Sequence, residues 1–205
     1  MGIINMKIEG QGFDALVNIA EGFGPEISKE ATIAVNRTAK FHKNQIAKEV
    51  TKHVKLKQKD VKEVIDVEKS RSRTRPMAKV IVNKTSRLSL KRFGARQTKS
   101  GVSYRISKSG KRGKIKDAFI VDKLGGHVFR RKGKKRLPIQ KLYGVSVAGV
   151  YNKQNLYPIS EKLIAERLNY EMLRRVRAVN VRLIRRKGRA NGLSTDQINQ
   201  QLSKL

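Results

Sequence analysis

Residues 77–83 read Met77-Ala78-Lys79-Val80-Ile81-Val82-Asn83, and here the spacing of apolar residues changes from helical to alternating. Upstream, Ile27, Ala31, Ala34, Val35, Thr38, Ala39, Ile46, Ala47 and Val50 recur at steps of three and four, the stripe of an amphipathic helix. Pro25 suits its first position, and Glu26 complements the N-terminal end of the helix dipole. Downstream, Arg87–Phe93, Val102–Ile106, Ala118–Val121 and His127–Arg130 are short β-prone segments punctuated by Gly- and Ser-rich turns. Helices before the change and strands after it predict an α+β protein with a central antiparallel β-sheet or small barrel.

Working outward from that junction, the spacing predicts a shorter helix around Lys57–Ile65, with Val61, Val64 and Ile65 on one side. Ser100-Gly101, Ser107–Gly113 and Arg130–Arg136 read as hairpin tips. After Leu156-Tyr157-Pro158 a long C-terminal helix is expected from near Ser160 to about Lys187, before Gly188. Leu163, Ile164, Leu168, Met172, Val176, Val179, Leu183 and Ile184 form its stripe, and arginines crowd its last turns. Ser194 followed by Gln197 predicts a capping box for a short helix over 195–203. The organisation is therefore an N-terminal helical region (1–75), a central β region with basic loops (76–150), and a C-terminal helix and tail (151–205).

Charge decides which functions are worth considering. The net charge is +32, of which residues 84–141 carry +18. Like charge at that density destabilises a compact chain unless an anionic partner offsets it. The extreme case is Arg130, Arg131, Lys132, Lys134, Lys135 and Arg136, six cations in seven positions, and a second group comprises Lys108, Lys111, Arg112 and Lys114. Aromatic residues make up 5% of the chain and Trp is absent, so these cations suit phosphate contact more than base stacking.

Enzymatic chemistry finds little support. There is no Cys, and His42, His53 and His127 are scattered, so neither a metal nor a cofactor is expected. Asp117 and Asp122 are oddly spaced for paired carboxylates on one strand. No phosphate-binding loop of the Gly-x-x-x-x-Gly-Lys-Ser/Thr type and no nucleophile elbow occur. Gly10-Gln11-Gly12-Phe13-Asp14-Ala15 resembles a degenerate dinucleotide fingerprint, but the helical pattern after it reads as a turn and helix start. The N-terminus lacks a secretory apolar run, and nowhere do about eighteen apolar residues follow one another, so no membrane partner is expected.

Five pieces in order carry a resemblance: Ala34-Val35-Asn36-Arg37-Thr38-Ala39, Phe93-Gly94-Ala95-Arg96, Ala118-Phe119-Ile120, Val128-Phe129-Arg130, and Arg136-Leu137-Pro138-Ile139 with Leu142 and Gly144. Over roughly residues 25–185 the chain resembles the minor tail protein Z family of tailed bacteriophages and prophages. The resemblance implies a structural virion protein, assembled in host cytoplasm, that completes the tail at its head-proximal end. It implies other tail and neck proteins as partners (tail terminator, tail tube or connector), double-stranded DNA in the channel, and a homo-oligomeric ring. It brings no catalytic residues. The basic loops would then face DNA or acidic neighbouring ring proteins, with Leu137-Pro138-Ile139 anchoring the longest loop in the core. The competing reading is a free, sequence-nonspecific nucleic-acid-binding protein.

Overall fold

A computed structural model of the chain describes residues 3–7, 25–73, 75–83 and 87–203. The elements run β1 (Ile3–Lys7), α1 (Pro25–His53), α2 (Gln58–Lys62), β2 (Ile65–Glu68), β3 (Lys79–Asn83), β4 (Arg87–Ser89), β5 (Arg96–Thr98), β6 (Gly101–Tyr104), β7 (Gly113–Lys116), β8 (Ala118–Val121), β9 (His127–Arg131), β10 (Ile139–Lys141), β11 (Tyr143–Ser146), α3 (Val147–Lys153), α4 (Tyr157–Ala190) and α5 (Thr195–Leu202). The protein is α+β, with small sheets ordered β1-β3-β2, β10-β9-β8, β11-β4 and β5-β6-β7, and none of them closes into a barrel among the described residues. The fingerprint-like Gly10–Ala15 lies outside the described residues.

Two compact units form. One takes the described residues of Met1–Met6, Phe41–Glu68 and Val80–Glu161; the other takes those of Lys7–Lys40, Lys69–Lys79 and Lys162–Leu205. In the first, the C-terminal half of α1 buries Ile46, Ala47 and Val50, and the strands bury Val80, Val82, Leu88, Val102, Val128 and Phe129. The last carbonyls of α1 need donors from elsewhere. One donor is the amide of Lys108, 3.1 Å from the His53 carbonyl, and Lys55 N–H donates to Ile106 at 2.7 Å. The connection between β6 and β7 is thereby stitched to the helix end.

In the second unit, Ile27, Ala31, Ala34, Val35 and Ala39 of α1 and Leu168, Met172 and Val179 of α4 are buried. Glu30 accepts from Arg175 Nη1 (2.9 Å) and Arg182 Nη2 (2.5 Å). Burial pushes its carboxyl up, but hydrogen bonds and charge from Arg182 and Arg175 outweigh that and hold it below the usual range. Glu171, almost wholly buried, pairs with Arg167 and lies 3.8 Å from Arg37. Two carboxylates thus offset part of the arginine density on α4.

Several elements depart from the sequence expectations. The short helix ends at Lys62, because Ile65-Asp66-Val67-Glu68 alternates and forms β2; Ile65 is buried as a strand residue. Arg87–Phe93 holds only three strand residues before a 3-10 turn over Leu90–Phe93, which buries Leu90 and Phe93 together. Helix α4 begins at Tyr157 and runs through Gly188. Gly188 is buried because α5 packs on it: a Cβ there would stand 2.6 Å from Ile198 Cγ1. Gly188 therefore serves as a packing notch and does not end the helix. The capping box of α5 forms as expected, with Ser194 and Gln197 in both of its bonds. Leu137 does not enter the core: it is 65% exposed, beyond a cis Leu137–Pro138 bond. The anchoring expected of it falls instead to Leu142, whose N–H donates to Val128 (2.8 Å) and whose carbonyl accepts from Leu90 (3.1 Å).

Candidate polyanion-contact surface

The three expected hairpin tips are all real connections, and two of them carry the basic groups. Strand β9 pairs antiparallel with β8 and with β10, so Arg130 stands between Ala118 and Gln140, and Arg131 pairs with Ile139. The ladder carries Arg130 and Arg131 to the end of this central strand, and residues 132–138 connect onward to β10. Lys132 N–H donates to the Pro138 carbonyl at 3.1 Å and closes the loop base. Arg130, Arg131, Lys132, Lys134, Lys135 and Arg136 are all exposed. Arg131 lies over the Phe119 ring, 5.6 Å from its centre, which steadies one of the six.

The second group divides in two. Lys108, Lys111 and Lys114 are exposed on the connection between β6 and β7 and on β7 itself. Arg112 is half-buried and turned inward: its Nη2 donates to the Gly94 carbonyl (2.8 Å), the Ser103 carbonyl (3.1 Å) and Ser103 Oγ (3.0 Å). It holds the hairpin against the turn after the 3-10 segment and presents little charge outward. The β5-β6-β7 sheet is tied to β8 by Gln97 Oε1, which accepts from Ile120 N–H at 2.9 Å.

Lys108 also lines a groove of about 720 Å³ that the sequence reading missed, together with Lys55, Lys57, Lys59, Lys91, Arg92 and His127. Two carboxylates stand there, Asp60 and Glu63, and Arg92 Nη1 takes both, at 2.9 and 2.6 Å. Lys91 Nζ donates to the Gly125 carbonyl at 2.7 Å. His127 is held below its ordinary pKa by partial burial and by the charges of Lys141, Lys91 and Arg92, and its Nδ1 shares a 2.9 Å hydrogen bond with Ser89 Oγ. The signal in the sequence was Lys55-Leu56-Lys57, where a buried leucine turns the lysines on either side outward.

Among the described residues no group of three or more His, Cys, Asp or Glu could hold a metal ion, and no helix is long and apolar enough to cross a membrane. Asp117 occupies the turn between β7 and β8 with a positive φ of 59°, while Asp122 begins a separate 3-10 turn.

Several of the pieces that carry the family resemblance make structural contacts, each within its own unit. Asn36 binds Ser70 twice, accepting from its N–H (2.7 Å) and donating to its carbonyl (3.0 Å). Gly94 adopts φ 64° beside the Lys55 side chain, and Gly144 lies against Phe93. The model of the prophage minor tail protein Z (GPZ) family matches residues 24–187. The chain belongs to that family. Membership in the minor tail protein Z family makes it a structural protein of the phage tail, and hence of the virion, working among other tail proteins. No curated protein and no solved structure matches it. The match stops short of α5, whose docking on Gly188 lies beyond the family's span.

Proposed function

We propose that this minor tail protein completes the tail at its head-proximal end, as one subunit of a homo-oligomeric ring between the tail tube or tail terminator and the head connector. Its cationic hairpin loops face double-stranded DNA in the channel or acidic surfaces of neighbouring ring proteins. Assembly takes place in host cytoplasm, and the finished protein resides at the neck of the virion.

The observation that carries this reading is the loop over 130–136, with six exposed cations on a hydrogen-bonded hairpin base. In water, neighbouring unit charges about 7 Å apart repel by roughly 0.6 kcal/mol, and an opposed anionic surface turns that repulsion into attraction. A ring would repeat the loop around its axis and concentrate the potential there.

The test replaces Arg130, Arg131, Lys132, Lys134, Lys135 and Arg136 with Gln in the phage. Infectious titre should collapse while the purified variant keeps its circular dichroism and melting temperature. Normal titre from the sixfold variant overturns the reading. Gradient-purified particles should contain the protein at ring stoichiometry. A free nucleic-acid-binding protein would instead stay outside particles.

A further inference from the structure

We propose that the lysine groove formed by Lys55, Lys57, Lys59, Lys91 and Lys108 seats the phosphate backbone of one strand of duplex DNA. The inference rests on the neck reading above and deepens it by naming the partner and a second contact site beside the hairpin loops.

Three features of the groove select this ligand. The first is uncompensated charge. Asp60 and Glu63 are both occupied by Arg92, and among the described residues none of the five lysines is within ion-pair distance of a carboxylate. The second is the kind of cation. Lysine is a compact point charge on a flexible stem with three donors, and it binds phosphate oxygens without demanding one fixed geometry. The groove's single arginine, Arg92, is already committed. The third is what the lining omits. Among the described residues no Phe, Tyr or Trp lines the groove, so they offer no platform on which unpaired bases could stack, and contact is with the backbone.

Placement adds to this. Lys108 belongs both to the groove and to the connection between β6 and β7, so the groove continues the charged surface of that hairpin. Leu56 is buried between Lys55 and Lys57, and the Lys108 amide is fixed to the His53 carbonyl. The lysines therefore stand on ordered backbone, which limits the entropy lost when they bind. His127, held below its ordinary pKa first by burial, is lowered further by the charges of Lys141, Lys91 and Arg92, which agrees with a positive local potential.

The experiment uses the full-length protein with a 30-base-pair mixed-sequence duplex, measuring affinity across a salt series. The groove variant combines Lys55→Gln, Lys57→Gln, Lys59→Gln and Lys108→Gln, all at exposed positions, with Lys91 kept because it also bonds Gly125. Each phosphate contact contributes about 0.9 to the log–log salt slope, so the slope should shrink by about 3 to 4 and binding weaken at least about tenfold. The melting temperature should not change. The sixfold loop variant is run in parallel. Loss of binding in the groove variant supports the groove whatever the loop variant does to phage titre, so the two readings fail separately. Wild-type affinity and slope in the groove variant overturn the inference. So does absence of duplex binding by the wild-type protein, preference for a single strand of equal length, or displacement of the duplex by poly-glutamate at lower charge concentration than by competitor duplex.

Discussion

Gly144 stands so close to Phe93 that a Cβ built on it would lie 2.2 Å from the ring carbon Cε2. Phe93 is fully buried and has no room to retreat. Gly144→Ala should therefore destabilise the protein by about 3 kcal/mol, the range of overpacked cores. At about 2–4 °C per kcal/mol for a chain of this size, the melting temperature should fall by about 10 °C in calorimetry. A drop of only a degree or two would show that the Phe93 pocket yields.

Arg112 and Lys111 are neighbours with opposite fates. Arg112 makes three charge-assisted contacts inward, whereas Lys111 is exposed. Arg112→Ala should lower stability by about 2 kcal/mol, as expected when hydrogen bonds from a charged group are lost. Lys111→Ala should stay within about 0.5 kcal/mol of wild type. Urea midpoints decide between this assignment and an outward, partner-binding Arg112, for which the two variants would match.

His42 is 0% exposed, and burial lowers its pKa from 6.5 to about 4. Among the described residues neither ring nitrogen finds a hydrogen-bond partner. Below pH 6.5 the unfolded chain takes up a proton that the folded chain refuses, so this group's contribution falls as pH drops from about 6.5 to about 4 and is flat below that. Between pH 7 and 4.5 the loss is on the order of 2 kcal/mol, at about 1.4 kcal/mol per pKa unit. Denaturant unfolding of His42→Leu at both pH values should show a pH dependence smaller by that amount. An unchanged dependence would mean that His42 titrates normally.

Gly188 and Ile198 hold α5 in place. An eight-residue helix is marginal in water, so its docking depends on the capping box and on burial of Ile198, which is 5% exposed. Gly188→Ala favours α4 by about 1 kcal/mol of helix propensity yet removes the notch. Limited proteolysis should then cut near Asn191–Ser194 much faster than in wild type, with the global melting temperature nearly unchanged. Equal cleavage rates would show that Ile198 finds another seat.

The long helices were legible because a stripe repeated over many turns averages out single exceptions, and the Ser194–Gln197 capping box was legible because it is entirely local. Short elements were less so. Ile65 satisfied a helical and an alternating pattern equally, and only its place in β2 resolved it. Strands β5 and β7 carry few apolar residues and form because β6 between them supplies the ladder. Gly188 looked like a helix stop because no local rule reveals a side chain arriving from residue 198.

From sequence alone came the α+β class, the family resemblance, the excess positive charge and its concentration in the hairpins, all properties of composition, order and period that survive without coordinates. Tertiary structure decided which cations are available. It turned Arg112 inward, set Arg92 against Asp60 and Glu63, and gathered lysines from positions 55–59, 91 and 108 around one groove. The physical reason is that an electrostatic site depends on distances between charges, and folding sets those distances independently of separation along the chain.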